Sequence, residues 1–396
     1  MSLRLALALL AGSAAAMPAG ADIFQRQADC SKARDQIPSI NDAKLPDPFT
    51  FADGSKVVTK ADWACRATEI QNGLEQYELG DFPTPPDRVE ASLSGSNLNI
   101  RVTVGGTSIS MSAAIRKPSG AGPFPAIIGV GGASIPIPAS IAQITFANDQ
   151  FAAQNGQGSR GQGLFYTLFG RGHSAGALTA WAWGVGRIID GLEQLGAAQT
   201  GIDTKRLGVT GCSRNGKGAF VVGALEKRIA LTIPQESGSG GAACWRISDS
   251  EKAKGKNIQT SGQIVGENVW FSPNFNTWAT RSSQIPVDHH ELAGLVAPRG
   301  LYVAENDIDW LGPVSTTGCM KAGRLIYQAL GVPENMGFSL VGGHNHCQFP
   351  SGQSAELTQF INYFLLNSGT KPSPLERSTV NVNVADYASW RASTLS

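Results

Sequence analysis

Charge imbalance is missing from this chain: 32 lysines and arginines stand against 31 aspartates and glutamates, a net charge of +1 over 396 residues. Such a balance leaves no footprint for nucleic acid and no polybasic patch for an anionic membrane. Long apolar runs are missing after the N-terminus, so no later stretch is suited to span a bilayer. No Asn-x-Ser/Thr sequon occurs, so N-glycosylation is not expected. Internal repeats and low-complexity linkers are also absent, which points to one large α/β domain rather than an array. Histidine is scarce, with five copies: His173, His289, His290, His344 and His346.

What is present begins with a leader. Arg4 precedes the apolar run Leu5–Ala11, and small residues and Met17-Pro18 follow. This reads as a secretory signal peptide, too short and too soon interrupted for a membrane anchor. The expected division is 1–17 signal peptide, 18–85 N-terminal segment packed on the domain, and 86–396 catalytic domain, with cleavage near Ala16 to Ala21. A secreted, extracellular protein follows. Six cysteines fit that compartment, because an even number in an exported chain implies disulfides. We expect Cys30–Cys65 to tie down the N-terminal segment and Cys244–Cys319 to join two loops. The third pair, Cys212–Cys347, has a physical argument of its own, given below.

Along the chain, residues 22–85 read as irregular and polar, with helical spacing at Ala61–Tyr77. Alternating segments at 89–93, 98–104 and 108–115 read as antiparallel edge strands. Phe124–Val130 is a continuous apolar run and should be a buried central strand. Gly131-Gly132-Ala133-Ser134 after it is a loop where an oxyanion donor could sit. Further strands are expected at 143–147, 229–234, 300–304 and 338–341, with helices at 174–195, 317–330 and 355–366. Strands alternating with helices give a parallel sheet. The tail after Pro372 is polar and should pack on the surface.

The stretch that carries chemistry is Arg206–Phe220. It reads as a short apolar strand, a glycine turn with Ser213 at its tip, and a helix, which is the form of a nucleophile elbow. A serine on such a turn stands clear of the sheet. The helix behind it offers unpaired N–H groups to a developing oxyanion. The usual G-x-S-x-G pattern is broken, since Asn215 occupies the last glycine position and Gly216 follows one residue later. Ser213, Glu236, Asp307 and His346 all fall at carboxyl ends of expected strands, in the chain order of an α/β-hydrolase. His346 is preferred to His344 because its neighbour Cys347 gives it a reason to be held near Ser213. If Ser213 and His346 are nucleophile and base, they must approach. Cys212 and Cys347 are then close enough to bridge.

Several roles stay open on the residues alone. Asp307 or Glu305 holds the usual position of the acid, and Glu236 competes with them. Arg214 and Lys217 are cations at a helix N-terminus, where they oppose the macrodipole. That cost suggests donors to an oxyanion and to substrate oxygens. Trp310 could form a sugar platform or pack as core.

The run Gly211-Cys212-Ser213-Arg214-Asn215-Gly216-Lys217-Gly218 resembles the G-C-S-R-x-G-K elbow of the glucuronoyl esterases, carbohydrate esterase family 15. The likeness extends to Pro234–Gly238 and Gly343–Cys347 and suits a fungal single-domain member. It implies an α/β-hydrolase fold, a mostly parallel sheet with helices on both faces. It also implies Ser213 as nucleophile, His346 as base, Glu236 as acid and Arg214 at the oxyanion. Lys217, Gln259, Glu267 and Trp310 would bind 4-O-methyl-glucuronic acid. The implied substrate is the ester between that sugar on glucuronoxylan and a lignin alcohol. No metal or organic cofactor is implied, and a monomer is expected. An acetyl or feruloyl xylan esterase, a peptidase with the same triad, and a non-catalytic binding protein of the same fold are the alternatives.

Overall fold

The computed structural model of the protein describes residues 30–373 and 375–396. The expected leader, and the start of the segment expected at 18–85, lie outside the described residues. The strands are β1 (Arg88–Ser94), β2 (Asn97–Val104), β3 (Thr107–Arg116), β4 (Phe124–Val130), β5 (Ala142–Phe146), β6 (Ile202–Cys212), β7 (Ile229–Gln235), β8 (Gly300–Glu305), β9 (Met336–Leu340) and β10 (Leu375–Arg377). They form one ten-stranded sheet in the order β1-β2-β3-β5-β4-β6-β7-β8-β9-β10. From β5 through β4 to β10 every pairing is parallel, and β1, β2, β3 and β5 pair antiparallel in turn.

The central strands are apolar on both sides because both sides are covered. Along β4, Ala126, Ile128 and Val130 enter one core and Ile127 the other; along β8, Leu301 and Val303 oppose Tyr302 and Ala304. The larger core lies under the helices Ala177–Leu195, Arg214–Leu225, His289–Val296 and Pro313–Ala329. The Ser354–Phe364 helix covers the smaller core, with Leu357, Phe360 and Ile361 buried against it. No helix among the described residues is long and apolar enough to cross a membrane.

Three regions differ from the sequence reading. The stretch before residue 85 is irregular but not polar in its packing: Ile37, Leu45, Phe49, Phe51 and Trp63 are all buried. Its helix, Lys60–Leu74, starts with a capping box in which Thr59 Oγ1 accepts from Asp62 N at 3.0 Å and Asp62 Oδ2 accepts from Thr59 N at 3.0 Å. The helix expected from residue 174 begins at Ala177. Gly176 before it runs against the backbone of Trp270 and Phe271, too close for a Cβ, and is extended. The tail does more than lie on the surface. It adds β10 to the edge at β9, and Trp390 Nε1 donates to Leu45 O at 3.0 Å.

The three bridges are Cys30–Cys65, Cys212–Cys347 and Cys244–Cys319. The expectation that Cys244–Cys319 joins two loops is not met. Cys244 is the N-cap of the Trp245–Ala253 helix and Cys319 lies inside the Pro313–Ala329 helix. Helical packing, which puts these helices side by side, brings the two sulfurs together.

A buried ion network fastens the N-terminal helix to the sheet's helical layer. Arg66 donates to Glu69 Oε2 at 2.6 Å and to Glu291 Oε1 at 3.1 Å. Burial pushes the Glu291 carboxyl up to about 7, with Arg66 pulling the other way. Replacing Arg66 by Met strands two carboxylates, which should cost about 3–5 kcal/mol in urea unfolding near pH 8. A carboxyl whose folded pKa lies above its unfolded value lowers stability as pH rises through that interval. The deficit of Arg66→Met should therefore shrink as the pH is lowered from 8 toward 5, and a deficit that grows on acidification would contradict the assignment.

Candidate active site

Parallel strands deliver their carboxyl ends to one edge, and the residues singled out in the sequence collect there. β6 ends at Cys212, and Ser213 stands between it and the Arg214–Leu225 helix with φ +60° and ψ −125°. That is a conformation L-residues avoid, at a cost of about 1–3 kcal/mol. The helix itself has no side-chain cap, so its first N–H groups remain free of one. Arg214 is exposed on the first turn and Lys217 is buried, 3% exposed.

The departure from G-x-S-x-G has a structural explanation. A Cβ on Gly216 would sit 2.5 Å from Gln235 O, so this glycine allows the helix to approach β7. The Asn215 amide occupies a space opened elsewhere: a Cβ on Gly131 would lie 2.4 Å from Asn215 Nδ2. Asn215 Oδ1 accepts from Asn148 Nδ2 at 3.2 Å. The same packing bears on the loop after β4. Gly131 N donates to Phe146 O and Gly132 N to Gly129 O, so these two amides are committed inside the fold rather than offered to an oxyanion.

The carboxylate that meets His346 is that of Glu236, at the end of β7. His346 Nδ1 donates to Glu236 Oε2 at 2.8 Å, and Cys347 N donates to the same oxygen at 2.9 Å. His344, set aside on the sequence, shares this carboxylate, with Nε2 donating to Oε1 at 3.1 Å. Burial pushes the Glu236 carboxyl up, but the His346 and Cys347 donors and the charges of both histidines outweigh it and hold it below the usual range. An ionised carboxylate only accepts. The hydrogen bond to it is therefore made by Nδ1–H of His346, and Nε2 is the ring nitrogen not held by Glu236. That nitrogen is buried and has no hydrogen-bond partner. Trp310 meets the His346 ring edge-on, 4.8 Å between centroids.

The other two candidates for the acid are elsewhere. Asp307 is exposed. Glu305 is fully buried, accepts from Ser237 N at 2.8 Å, Ser237 Oγ at 2.9 Å and Gly238 N at 3.2 Å, and does not touch His346. Burial raises its carboxyl to about 7, against the pull of the Ser237 and Gly238 donors.

The remaining residues are linked by hydrogen bonds through the turn after β7. Lys217 Nζ donates to Ser237 O at 2.6 Å, with its ammonium 5.6 Å from the Trp270 ring centroid. Gln259 Nε2 donates to Glu267 Oε2 at 3.0 Å, and Gln259 N to Trp310 O at 3.3 Å. Ser239 Oγ donates to Gln259 O at 2.6 Å. Burial lowers the Lys217 ammonium to about 8, with Glu305 and Glu267 opposing. Ser237, Ser239 and Asn306 were not singled out as site residues on the sequence. Their places directly after β7 and β8 were the available signal.

Cys212 and Cys347, 135 residues apart in sequence, are bridged with their Cα atoms 5.7 Å apart. The bridge joins the residue before Ser213 to the residue after His346. Both sulfurs are bonded to each other, so they present no thiolate to a metal beside His346.

Comparison with known proteins gives a consistent result. Residues 100–331 match the family model described as glucuronyl esterase of fungi. A 4-O-methyl-glucuronoyl methylesterase of Thermothelomyces thermophilus is 68% identical over 385 residues, 97% of this chain and 96% of that protein. One from Neurospora crassa is 63% identical over 392 residues, 99% and 98% of the two chains. Among solved structures, a serine-to-alanine variant of a glucuronoyl esterase from Sporotrichum thermophile, in complex with methyl 4-O-methyl-β-D-glucopyranuronate, superposes with a TM-score of 0.90. It is 69% identical and the match covers 91% of this chain and 98% of that one.

The elbow's geometry makes a prediction. Gly216→Ala should destabilise the protein by about 1–3 kcal/mol through overpacking against β7. Adding Asn215→Gly, which restores the common pattern, should not recover it. Recovery of the urea midpoint in the double variant would show that position 215 governs the approach.

Proposed function

The chain belongs to the fungal glucuronyl esterase family, and from that premise we propose that it is a serine esterase acting on 4-O-methyl-D-glucuronic acid esters of glucuronoxylan, with a lignin alcohol as leaving group. The observation that carries this reading is the bridge Cys212–Cys347, which ties the residue before Ser213 to the residue after His346, with His346 Nδ1 held by Glu236 and its Nε2 left without a hydrogen-bond partner.

The chemistry follows from that arrangement. Ser213 Oγ attacks the ester carbonyl as His346 Nε2 takes its proton. Glu236 keeps the imidazole in the required tautomer and balances the imidazolium. The oxyanion forms over the start of the Arg214–Leu225 helix, where the Arg214 N–H and guanidinium are the donors. Collapse of the tetrahedral intermediate breaks the ester C–O bond, and His346 returns the proton to the departing alcohol. Water then repeats the sequence on the acyl-enzyme and releases the uronic acid and free Ser213.

The scissile carboxyl is neutral as an ester, so Lys217 serves the sugar hydroxyls. Gln259 and Glu267, already hydrogen-bonded to each other, and Trp310 beside His346 complete the sugar site in this reading. Three disulfides fit work outside the cell.

Ser213→Ala should lower turnover of a methyl glucuronate ester by about 10⁴-fold or more without loss of fold. Wild-type protein should prefer that ester to acetylated xylan and to methyl ferulate; the reverse preference would overturn the substrate assignment. Lys217 supplies a second check. Raising the pH through about 8 removes its proton. KM for the uronate ester should rise there, while hydrolysis of p-nitrophenyl acetate, which has no sugar, should show no parallel loss. Equal behaviour of the two esters would remove Lys217 from the sugar site.

A further inference from the structure

A buried carboxylate that the reaction above does not use sits under the site. Glu305 ends β8, is wholly inaccessible, and points one oxygen at three donors of the turn after β7: Ser237 N, Ser237 Oγ and Gly238 N. Its other oxygen, Oε2, is buried without a partner. No cation forms a salt bridge with it among the described residues. The only hydrogen bonds this buried acid makes among the described residues are to the turn.

That turn carries the acid and the polar residues around it. Its first residue, Glu236, has φ +44°, which a non-glycine residue holds only when its surroundings enforce it. Glu236 aims at His346. The next residue, Ser237, gives its carbonyl to Lys217 Nζ. Two residues on, Ser239 Oγ binds Gln259 O, and Gln259 N in turn binds Trp310 O. The acid of the triad and the sugar rim thus hang from four consecutive residues. Glu305 grips the two in the middle.

We propose that Glu305 is a positioning residue that sets the Glu236–Ser239 turn and thereby couples the orientation of the catalytic acid to the placement of Lys217 and Gln259. It touches neither substrate nor the reacting atoms. It acts by satisfying the Ser237 and Gly238 N–H groups in the one arrangement that sends the Glu236 side chain toward His346 and the Ser237 carbonyl toward Lys217. The inference rests on the functional reading above for the identity of the sugar rim.

The test uses two variants of the full chain. Glu305→Gln keeps an acceptor for the Ser237 and Gly238 N–H groups, whereas Glu305→Met removes it at similar volume. Each is measured with a methyl glucuronate ester and with p-nitrophenyl acetate, after circular dichroism has shown native fold at the assay temperature. With the uronate ester, Glu305→Met should lower kcat and raise KM together, kcat/KM falling between about ten- and a hundredfold. Glu305→Gln should fall between it and wild type. With p-nitrophenyl acetate only kcat should fall, because that ester reports the triad alone. Should Glu305→Met fail to fold, Glu305→Gln alone decides by the same two changes. Folded variants with wild-type kcat and KM, or a loss confined to the melting temperature, overturn the proposal. So does a change in kcat alone or KM alone on the uronate ester, since the coupling is then absent. If wild-type protein leaves the uronate ester intact, the substrate reading fails instead, and the fall of kcat on p-nitrophenyl acetate still judges the hold on Glu236.

Discussion

The Glu236 carboxylate accepts hydrogen bonds from His346 Nδ1, Cys347 N and His344 Nε2, and lies within 3.4 Å of the side-chain amides of Gln235 and Asn306. It is 1% exposed. A charge in that setting is tolerated only when its lone pairs are filled. These donors come from the ends of β7 and β8 and from the loop after β9. Filling the lone pairs therefore requires those three strand ends to be in register, and the position of the imidazole follows.

Holding that register has a visible cost in the backbone. Four described non-glycine residues have positive φ, and three of them, Ser213, Glu236 and Cys347, are at this edge. Each is worth about 1–3 kcal/mol of strain. The Cys212–Cys347 bridge offsets part of this, since closing a loop of 135 residues restricts the unfolded chain by about 5 kcal/mol in the chain-entropy account. The bridge also binds two of the strained residues, Cys347 directly and Ser213 through its neighbour. Strain and staple thus fall on the same atoms, as expected where geometry must persist between turnovers.

Much of this was legible in the sequence for identifiable reasons. β4 and β6 declare themselves by apolar runs bounded by glycine, and the elbow by its Gly-x-Ser turn. The pairing of Cys212 with Cys347 follows from adjacency to Ser213 and His346. The N-terminal segment was harder, because its buried residues, Ile37, Leu45, Phe49 and Phe51, are dispersed among polar ones with no helical or strand period. The Cys244–Cys319 bridge was misplaced in loops because nothing local announces that Cys319 lies inside a helix facing another helix's start. Asn215 departs from the motif along the chain, and only the fold brings up Gly131, far off in sequence, to leave it room.

Residue order alone indicated the alternation of strand and helix, marked Ser213 and His346 as candidates, and paired Cys212 with Cys347, because each depends on local pattern or on neighbours in the chain. It left the acid undecided among Glu236, Glu305 and Asp307, since all three follow strands and carry the same group. Tertiary structure separated them. Strand register turned Glu236 toward two histidines, buried Glu305 beneath the turn, and left Asp307 exposed. Carboxylates that look equivalent along the chain differ by the donors that surround them, and those donors come from parts of the polypeptide that only folding brings near.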